Sequence, residues 1–150
     1  MNKNIKIILI VLVIIILIML PLFLLKRPKA NLDELETILI KEFDLRKLEN
    51  EEISNYFGIT NNNEETLFLT DFNELDKPFS PNTLVVIVNN RDYKEYYSAL
   101  KGYIDTEINN TTIDRIELYQ KAIIKTASSY FYLVISNDEN IVKVVDNSFK

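Results

Sequence analysis

Hydrophobic residues concentrate near the start of the chain, where residues 7–25, from Ile7 to Leu25, form a run of 19 without a charge. As a helix this run would be about 28 Å long, close to the roughly 30 Å thickness of the hydrocarbon core of a bilayer. Bulky and basic residues follow it, instead of the small residues of a cleavage site. The pattern therefore predicts one uncleaved transmembrane helix within residues 1–30 and a separate domain in residues 31–150.

Beyond this run, apolar residues recur every three or four positions in five segments, which is the spacing of one helical face. The first segment begins at Asn31, which with Glu34 resembles a helix cap. The last opens at Ser136 with Glu139 three residues later, the pattern of a capping box. Helices are predicted at residues 32–43, 50–58, 90–108, 113–121 and from 136 onward. On the long third helix, the residues predicted to face inward are Tyr93, Tyr97, Leu100, Ile104 and Ile108.

Four other segments have the character of strands, because they are short, rich in β-branched and aromatic residues and bounded by turn residues. They are residues 66–72, 83–88, 122–126 and 130–136. The second is apolar on both faces, as is typical of a central strand, and the last two are spaced as a β-hairpin. Helices and strands alternate in blocks, so we predict an α+β domain with a mainly antiparallel sheet of about four strands and flanking helices.

Charge separates the two parts of the chain. The first 30 residues carry five of the 17 basic residues and none of the 22 acidic ones, which leaves residues 31–150 with a net charge of −10. An acidic domain is a poor ligand for nucleic acid and for anionic lipid headgroups. Basic residues flank the two ends of the apolar run almost equally, so the positive-inside rule leaves its orientation in the membrane open.

The amino-acid composition excludes most kinds of catalytic site. The chain has no Cys, His or Trp, and its two glycines, Gly58 and Gly102, are far apart. Disulfides, thiolate nucleophiles, imidazole bases and the common zinc sites are therefore excluded, as are glycine-rich phosphate loops. We predict no catalytic residue, no cofactor and no metal. An enzyme that acts through carboxylates alone is the alternative, because the pairing of 22 acids is not readable from sequence.

The acidic segment at residues 71–76 carries several oxygen ligands of the type that Ca²⁺ prefers. It lacks the glycine and the terminal glutamate spacing of an EF-hand, so a solvated turn is the favoured interpretation. The acidic and amide cluster at residues 137–140 is interpreted in the same way as the start of a helix.

An apolar strand that runs into an amphipathic helix, TLVVIVNNRDYKEYYSALKGYIDTEI, is followed by a short helix, a strand pair and a last helix, IELYQKAIIKTASSYFYLVISNDENIVKVVDNSF. Across residues 83–149 this pattern resembles an uncharacterised family of small membrane-anchored proteins from low-GC Gram-positive bacteria, which carry a domain of unknown function. The resemblance implies a tethered domain that lies outside the cytoplasm in the cell envelope. It supplies no catalytic residues.

Tyr96 and Tyr103 are seven positions apart on the long helix, so they lie on one line beside the predicted inward face. Tyrosine is favoured at interfaces because it combines an apolar ring with a polar tip. These two residues are therefore the predicted candidate interaction surface. The alternative is that both rings cover the edge of the sheet.

The favoured hypothesis is a single-pass, non-catalytic binding domain on the cell membrane, held there by residues 7–25, whose partner is another envelope or membrane protein. Two alternatives stay open. One is a carboxylate-based envelope enzyme, and the other is an accessory subunit of a membrane complex that faces the cytoplasm.

Overall fold

The computed structural model of the protein describes residues 31–60, 65–72, 79–89, 91, 93–127 and 129–150. The predicted transmembrane run at residues 7–25 and most of the acidic segment at residues 71–76 lie outside these ranges. Among the helices of the described part, none combines the length and the apolar character needed to cross a bilayer.

Five helices and five strands make up the described part of the chain. The helices are α1 (Leu32–Phe43), α2 (Asn50–Phe57), α3 (Tyr93–Asn110), α4 (Ile113–Gln120) and α5 (Glu139–Ser148). The strands are β1 (Arg46–Lys47), β2 (Thr66–Thr70), β3 (Leu84–Asn89), β4 (Ile123–Ala127) and β5 (Tyr130–Ile135). Every helix and strand predicted for this part is present, with ends that differ by a few residues.

The strands form one sheet in the order β1-β2-β3-β5-β4, and every neighbouring pair is antiparallel. The α+β class and the antiparallel sheet are therefore confirmed, and β3 has the predicted central position. β4 and β5 form the predicted hairpin, with Ala127 opposite Tyr130. The sheet has five strands rather than about four because β1 adds two residues beside β2. A strand that short shows no alternation for a sequence pattern to reveal.

Helices cover both faces of the sheet, which gives three layers. Side chains alternate along each strand, so neighbours such as Val85 and Val86 on β3 enter different cores. Val86 belongs to the core with α2, α3 and α4, and Val85 to the core with α1 and α5. Burial on both faces explains why β3 and β5 are apolar at nearly every position.

Local caps set the ends of the first two helices. Asn31 Oδ1 accepts a hydrogen bond from the backbone N–H of Glu34 at 3.3 Å, which confirms the predicted cap of α1. Gly58 ends α2 with a φ of 67°, a left-handed conformation that glycine adopts without a side-chain clash. The end predicted at Gly58 is therefore confirmed.

The start of α5 differs from the prediction. Asp138 is the N-cap, and its carboxylate accepts from the backbone N–H of Asn140 at 2.8 Å. Ser136 Oγ instead accepts from the N–H of Asp138 at 3.0 Å and lies 3.2 Å from Oγ1 of Thr83. The capping box predicted for Ser136 and Glu139 is wrong, because Ser136 forms the turn after β5 and the aspartate that follows is itself a strong cap.

The inward face of α3 is rotated from the predicted one. Tyr96, Leu100 and Ile104 are buried at four-residue intervals, whereas Tyr97, which the spacing predicts to face inward, is 40% exposed. Both tyrosines fit a helical face that includes Leu100 and Ile104, so sequence spacing does not separate them. In the structure the ring of Tyr96 packs on Phe68 of β2, with ring centroids 6.2 Å apart.

Candidate functional site

The two tyrosines predicted as an interaction surface lie in the packed interior of one layer. Tyr96 is 4% exposed, so it has no free ring surface with which to contact a partner. Tyr103 is half-buried and packs edge-on against Phe57 of α2, with 5.2 Å between ring centroids. Its hydroxyl lies 3.2 Å from that of Tyr119 on α4. The geometry therefore corrects the predicted surface. It agrees with the structural role that the alternative gave both rings, but they pack on Phe68 and Phe57 rather than covering the edge of the sheet.

A polar cluster surrounds the hydroxyl of Tyr119 between α3 and α4. This hydroxyl donates to Glu107 Oε2 at 3.2 Å, so Tyr103 is the donor in the hydrogen bond between the two tyrosines. Arg115 Nη2 donates to the same hydroxyl oxygen at 3.4 Å. Burial, with a further contribution from Tyr119, raises the pKa of Tyr103 far above its ordinary value of 10. A phenol held neutral in this way is neither a base nor a nucleophile at neutral pH.

Arg115 also ties α4 to the segment that leads into β3. Its Nη2 donates to the carbonyl oxygen of Pro81 at 2.7 Å, and its Nη1 donates to Asn82 Oδ1 at 3.3 Å. The guanidinium carbon lies 5.9 Å from the centroid of the Tyr119 ring, within the range of a cation–π contact. Its Nε is buried and has no hydrogen-bond partner among the described residues. We interpret this cluster as a structural clasp between α4 and the start of β3.

Asp71, the described acid of the segment considered for Ca²⁺, is engaged with the backbone. Its Oδ1 accepts from the N–H groups of Asn82 and Thr83 at 3.0 and 2.9 Å. A side chain that accepts local backbone hydrogen bonds in this way stabilises a turn. Within the described ranges, no group of three or more acidic side chains is arranged to hold a metal ion.

A second polar cluster, around Asp146 of α5, lies on the opposite face of the sheet. Lys125 Nζ from β4 lies 2.5 Å from Oδ1, the Tyr132 hydroxyl from β5 donates to the same oxygen at 2.7 Å, and Lys150 Nζ lies 2.9 Å from Oδ2. The hydrogen bond from Lys125, followed by those from Tyr132 and Lys150, holds the pKa of the Asp146 carboxyl well below its usual range. Burial and the bond to this carboxylate raise the pKa of Tyr132. The cluster fastens the β4–β5 hairpin to α5.

An open groove of about 320 Å³ lies between the first half of α3 and the hairpin. Tyr93 and Tyr97 line its helix side, and Ile124 and Thr126 line its strand side. The ring of Phe131 lies 6.4 and 6.1 Å from those of Tyr93 and Tyr97. We call this feature the β4 groove. Tyr97 and Ile124 are 40% and 38% exposed, two of the four large apolar side chains that the described part exposes. Because these two exposed apolar side chains lie side by side, the β4 groove is the candidate interaction site of the described part.

The β4 groove lies beside a free edge of the sheet. β4 is the last strand in the sheet order, and no described residue pairs with its outer side. The opposite edge, β1, has only two residues, and both side chains are in ion pairs, Arg46 with Glu52 and Lys47 with Glu36. An edge of only two residues offers few backbone groups to another strand. β4 also carries an ion-paired lysine, Lys125, but its five residues offer a longer edge, which lies beside the exposed ring of Tyr97.

Sequence reasoning missed the β4 groove although it predicted both α3 and the hairpin. A periodic pattern does not show which strand ends at the edge of a sheet, and the predicted rotation of α3 placed Tyr97 in the core. One signal was present. β4 contains Lys125 and Thr126 and is less apolar than β3 or β5, and charged side chains are typical of an edge strand.

Comparisons of the chain with models of protein families, with curated proteins and with solved structures found no match. The family resemblance of residues 83–149 therefore stays a prediction. Function is inferred from the geometry of the domain itself.

Proposed function

We propose that the protein is a single-pass membrane protein whose acidic domain, residues 31–150, binds another membrane or envelope protein without catalysis. The β4 groove is the observation that supports this proposal most strongly. It brings the exposed ring of Tyr97 and the side chain of Ile124 together at an edge strand whose outer side no described residue pairs with. Burial of such exposed apolar surface is the main driving force of protein association.

The sequence supports the tether. The run at residues 7–25 has the length and the apolar character of a transmembrane helix, and the linker at residues 26–30 spans at most about 17 Å. A domain on this linker stays close to the membrane surface, within reach of neighbouring membrane proteins. The resemblance to anchored envelope proteins supports a position outside the cytoplasm.

Three carboxyl groups of the described part lack the raised pKa of a general acid. A carboxylate enzyme needs a general acid whose pKa is raised. The described carboxyl groups with a displaced pKa are Glu52, Glu117 and Asp146, and in each the pKa is lowered, chiefly by a hydrogen bond from a neighbouring cation. These three groups are therefore ionised partners in ion pairs, which is a structural role.

Affinity purification from the native membrane tests the proposal. The tagged full-length chain is solubilised and purified as wild type and as Tyr97→Ala/Ile124→Thr, and co-purifying proteins are quantified by mass spectrometry. We expect a partner that is recovered with the wild type and reduced about tenfold or more by the double variant, because exposed aromatic and apolar anchors dominate interface energies.

Ile113→Ala is the matched control, since Ile113 on α4 is 84% exposed and does not line the β4 groove. The melting temperature of each chain shows whether the fold is retained. Equal recovery of every co-purifying protein with all three folded chains would contradict a contact at the groove.

A further inference from the structure

We infer that the partner binds as an added strand, in which an extended segment with alternating apolar and acidic side chains pairs with the outer side of β4. This inference rests on the proposed function and specifies the mode of binding and the chemistry of the partner. Three features of the edge support it: its free backbone groups, the different character of its two faces, and the lysines beside it.

No described strand pairs with the backbone groups on the outer side of β4. Two residues separate Ala127 from Tyr130, which are opposite each other, so this pair closes the hairpin and exchanges both of its hydrogen bonds. Bonded and non-bonded pairs alternate along an antiparallel ladder, and Ile124 and Thr126 therefore direct their N–H and C=O groups outward. An added strand would satisfy these groups, which is how extended peptides are recognised at sheet edges.

The two faces of the edge require different side chains from the partner. Ile124 and Thr126 line the β4 groove on the α3 face. Lys125 also borders the groove, and the end of its side chain lies on the α5 face, where its Nζ contacts Asp146. The side chains of an added strand alternate between the same two faces. Apolar residues would enter the groove beside Tyr97, and the residues between them would lie beside Lys125.

Lysines exceed acids along this edge, although residues 31–150 have a net charge of −10. On α3, Lys94 and Lys101 lie three positions before and four after Tyr97, which places them on the side of the groove. On the other face of the sheet, Lys143 and Lys150 lie three positions before and four after Asp146. The five lysines and three acids are Lys94, Lys101, Lys125, Lys143, Lys150, Asp105, Glu139 and Asp146. Four of these lysines are in ion pairs with the three acids, and the set keeps a net charge of +2, which complements acidic residues of a partner.

A second copy of the chain fits this edge less well. In the register that pairs both outward residues of β4, antiparallel pairing about a two-fold axis would place Ile124 opposite Thr126 of the other copy. It would also place Lys125 directly opposite Lys125 of the other copy, and like charges in that position are destabilising. Each domain also adds a net charge of −10 to the long-range repulsion.

Peptide binding tests the inference. Two labelled peptides of about eight residues, roughly a strand in length, alternate Val with Glu or Val with Lys. Each is titrated with the full-length chain in dodecyl maltoside micelles and followed by fluorescence anisotropy. We expect the Val–Glu peptide to bind about tenfold or more tighter than the Val–Lys peptide, equivalent to about 1.4 kcal/mol. Its binding should weaken as salt is raised.

Thr126→Pro and Ile113→Pro form a matched pair of variants. The substitution at Thr126 removes an outward N–H from an edge strand, where proline is tolerated, and should weaken the Val–Glu peptide about tenfold or more. The substitution at Ile113 lies at the first position of α4, where proline suits the helix, and should leave binding unchanged. If Thr126→Pro unfolds, hydrogen exchange on the wild type replaces it, with protection of the Ile124 and Thr126 amides by the Val–Glu peptide as the expected result.

Equal binding of the two peptides, a preference for the Val–Lys peptide, or unchanged binding by a folded Thr126→Pro would overturn strand addition by an acidic segment. A concentration-dependent dimer that Thr126→Pro abolishes would overturn it in favour of a second copy. These results are separable from failure of the proposed function, which affinity purification tests with Tyr97→Ala/Ile124→Thr. If that variant loses a native partner and the wild type binds neither peptide, the proposed binding function stands and strand addition is rejected.

Discussion

Tyr96 and Tyr97 are adjacent in the chain and have opposite environments, the first 4% and the second 40% exposed. Tyr96 packs on Phe68 beneath α3, whereas Tyr97 lies in the β4 groove against Phe131. About 100° of helical rotation therefore separates a core side chain from a candidate contact side chain.

Alanine substitution of each of these two tyrosines tests how α3 is rotated about its own axis. Tyr96→Ala should lower the free energy of unfolding by about 3 kcal/mol or more, because it leaves a cavity in a packed core. Tyr97→Ala should lower it by less, about 1 kcal/mol, since this side chain is 40% exposed and leaves no enclosed cavity. Urea unfolding followed by circular dichroism measures both values. Similar losses from the two substitutions would show that the two side chains are not placed as described.

Removal of the Tyr119 hydroxyl oxygen should destabilise the fold, because this oxygen belongs to the clasp between α4 and β3. Tyr119→Phe leaves Glu107 and the Tyr103 hydroxyl without their shared partner. The free energy of unfolding should fall by about 1–3 kcal/mol, the cost of polar groups left unpaired in a partly buried site. Tyr97→Phe removes an exposed hydroxyl and should change it little. An unchanged unfolding midpoint for Tyr119→Phe would mean that the clasp does not stabilise the fold.

The ion pairs of Asp146 predict a loss of stability in acid. The pKa of its carboxyl in the folded chain lies below the ordinary value of 3.8, so the unfolded chain binds more protons in acid. This stabilisation is present above about pH 4 and is lost as pH falls toward the folded pKa. The wild type should melt at a higher temperature than Asp146→Asn near neutral pH, and the difference should shrink below pH 4. A difference in melting temperature that is constant with pH would contradict this role.

The tether predicts how the full-length protein behaves in its membrane. The chain should keep its native N-terminus and resist alkaline carbonate extraction, because residues 7–25 have the length of a membrane span. Protease added to intact protoplasts should digest residues 31–150 if the domain lies outside the cytoplasm. A mature chain that starts near Ala30 would contradict the anchor. Survival of the domain until the membrane is lysed would reverse the topology.

Much of the fold is predictable because each element carries its own local pattern. β3 is apolar on both faces, the hairpin has two strands with a short connection, and α1 has a cap at Asn31. These features depend on residues close in sequence. β1 escapes prediction because two residues carry no period, and the α5 cap is misplaced because Ser136 and Asp138 are both good cap residues.

The candidate site is not predictable in the same way, because it depends on long-range placement. The exposure of Ile124 follows from the position of β4 at the end of the sheet order, which the chain order of the strands does not reveal. The exposure of Tyr97 follows from the rotation of α3 over β5. Tyr96 and Tyr103 fall on one line of the helix as predicted, but packing against the sheet and α2 covers the first ring and half-buries the second.

Site-specific photo-crosslinking tests the β4 groove as the contact surface most directly. A benzoylphenylalanine is placed at Ile124 in one full-length chain and at Ile113 in another, and each is irradiated in the native membrane. Position 124 should give a covalent adduct with another membrane or envelope protein, and Tyr97→Ala in the same chain should reduce the yield of that adduct about tenfold. Position 113 should give no such adduct. No adduct at position 124, or the same adduct in equal yield from both positions, would contradict a partner contact at the β4 groove.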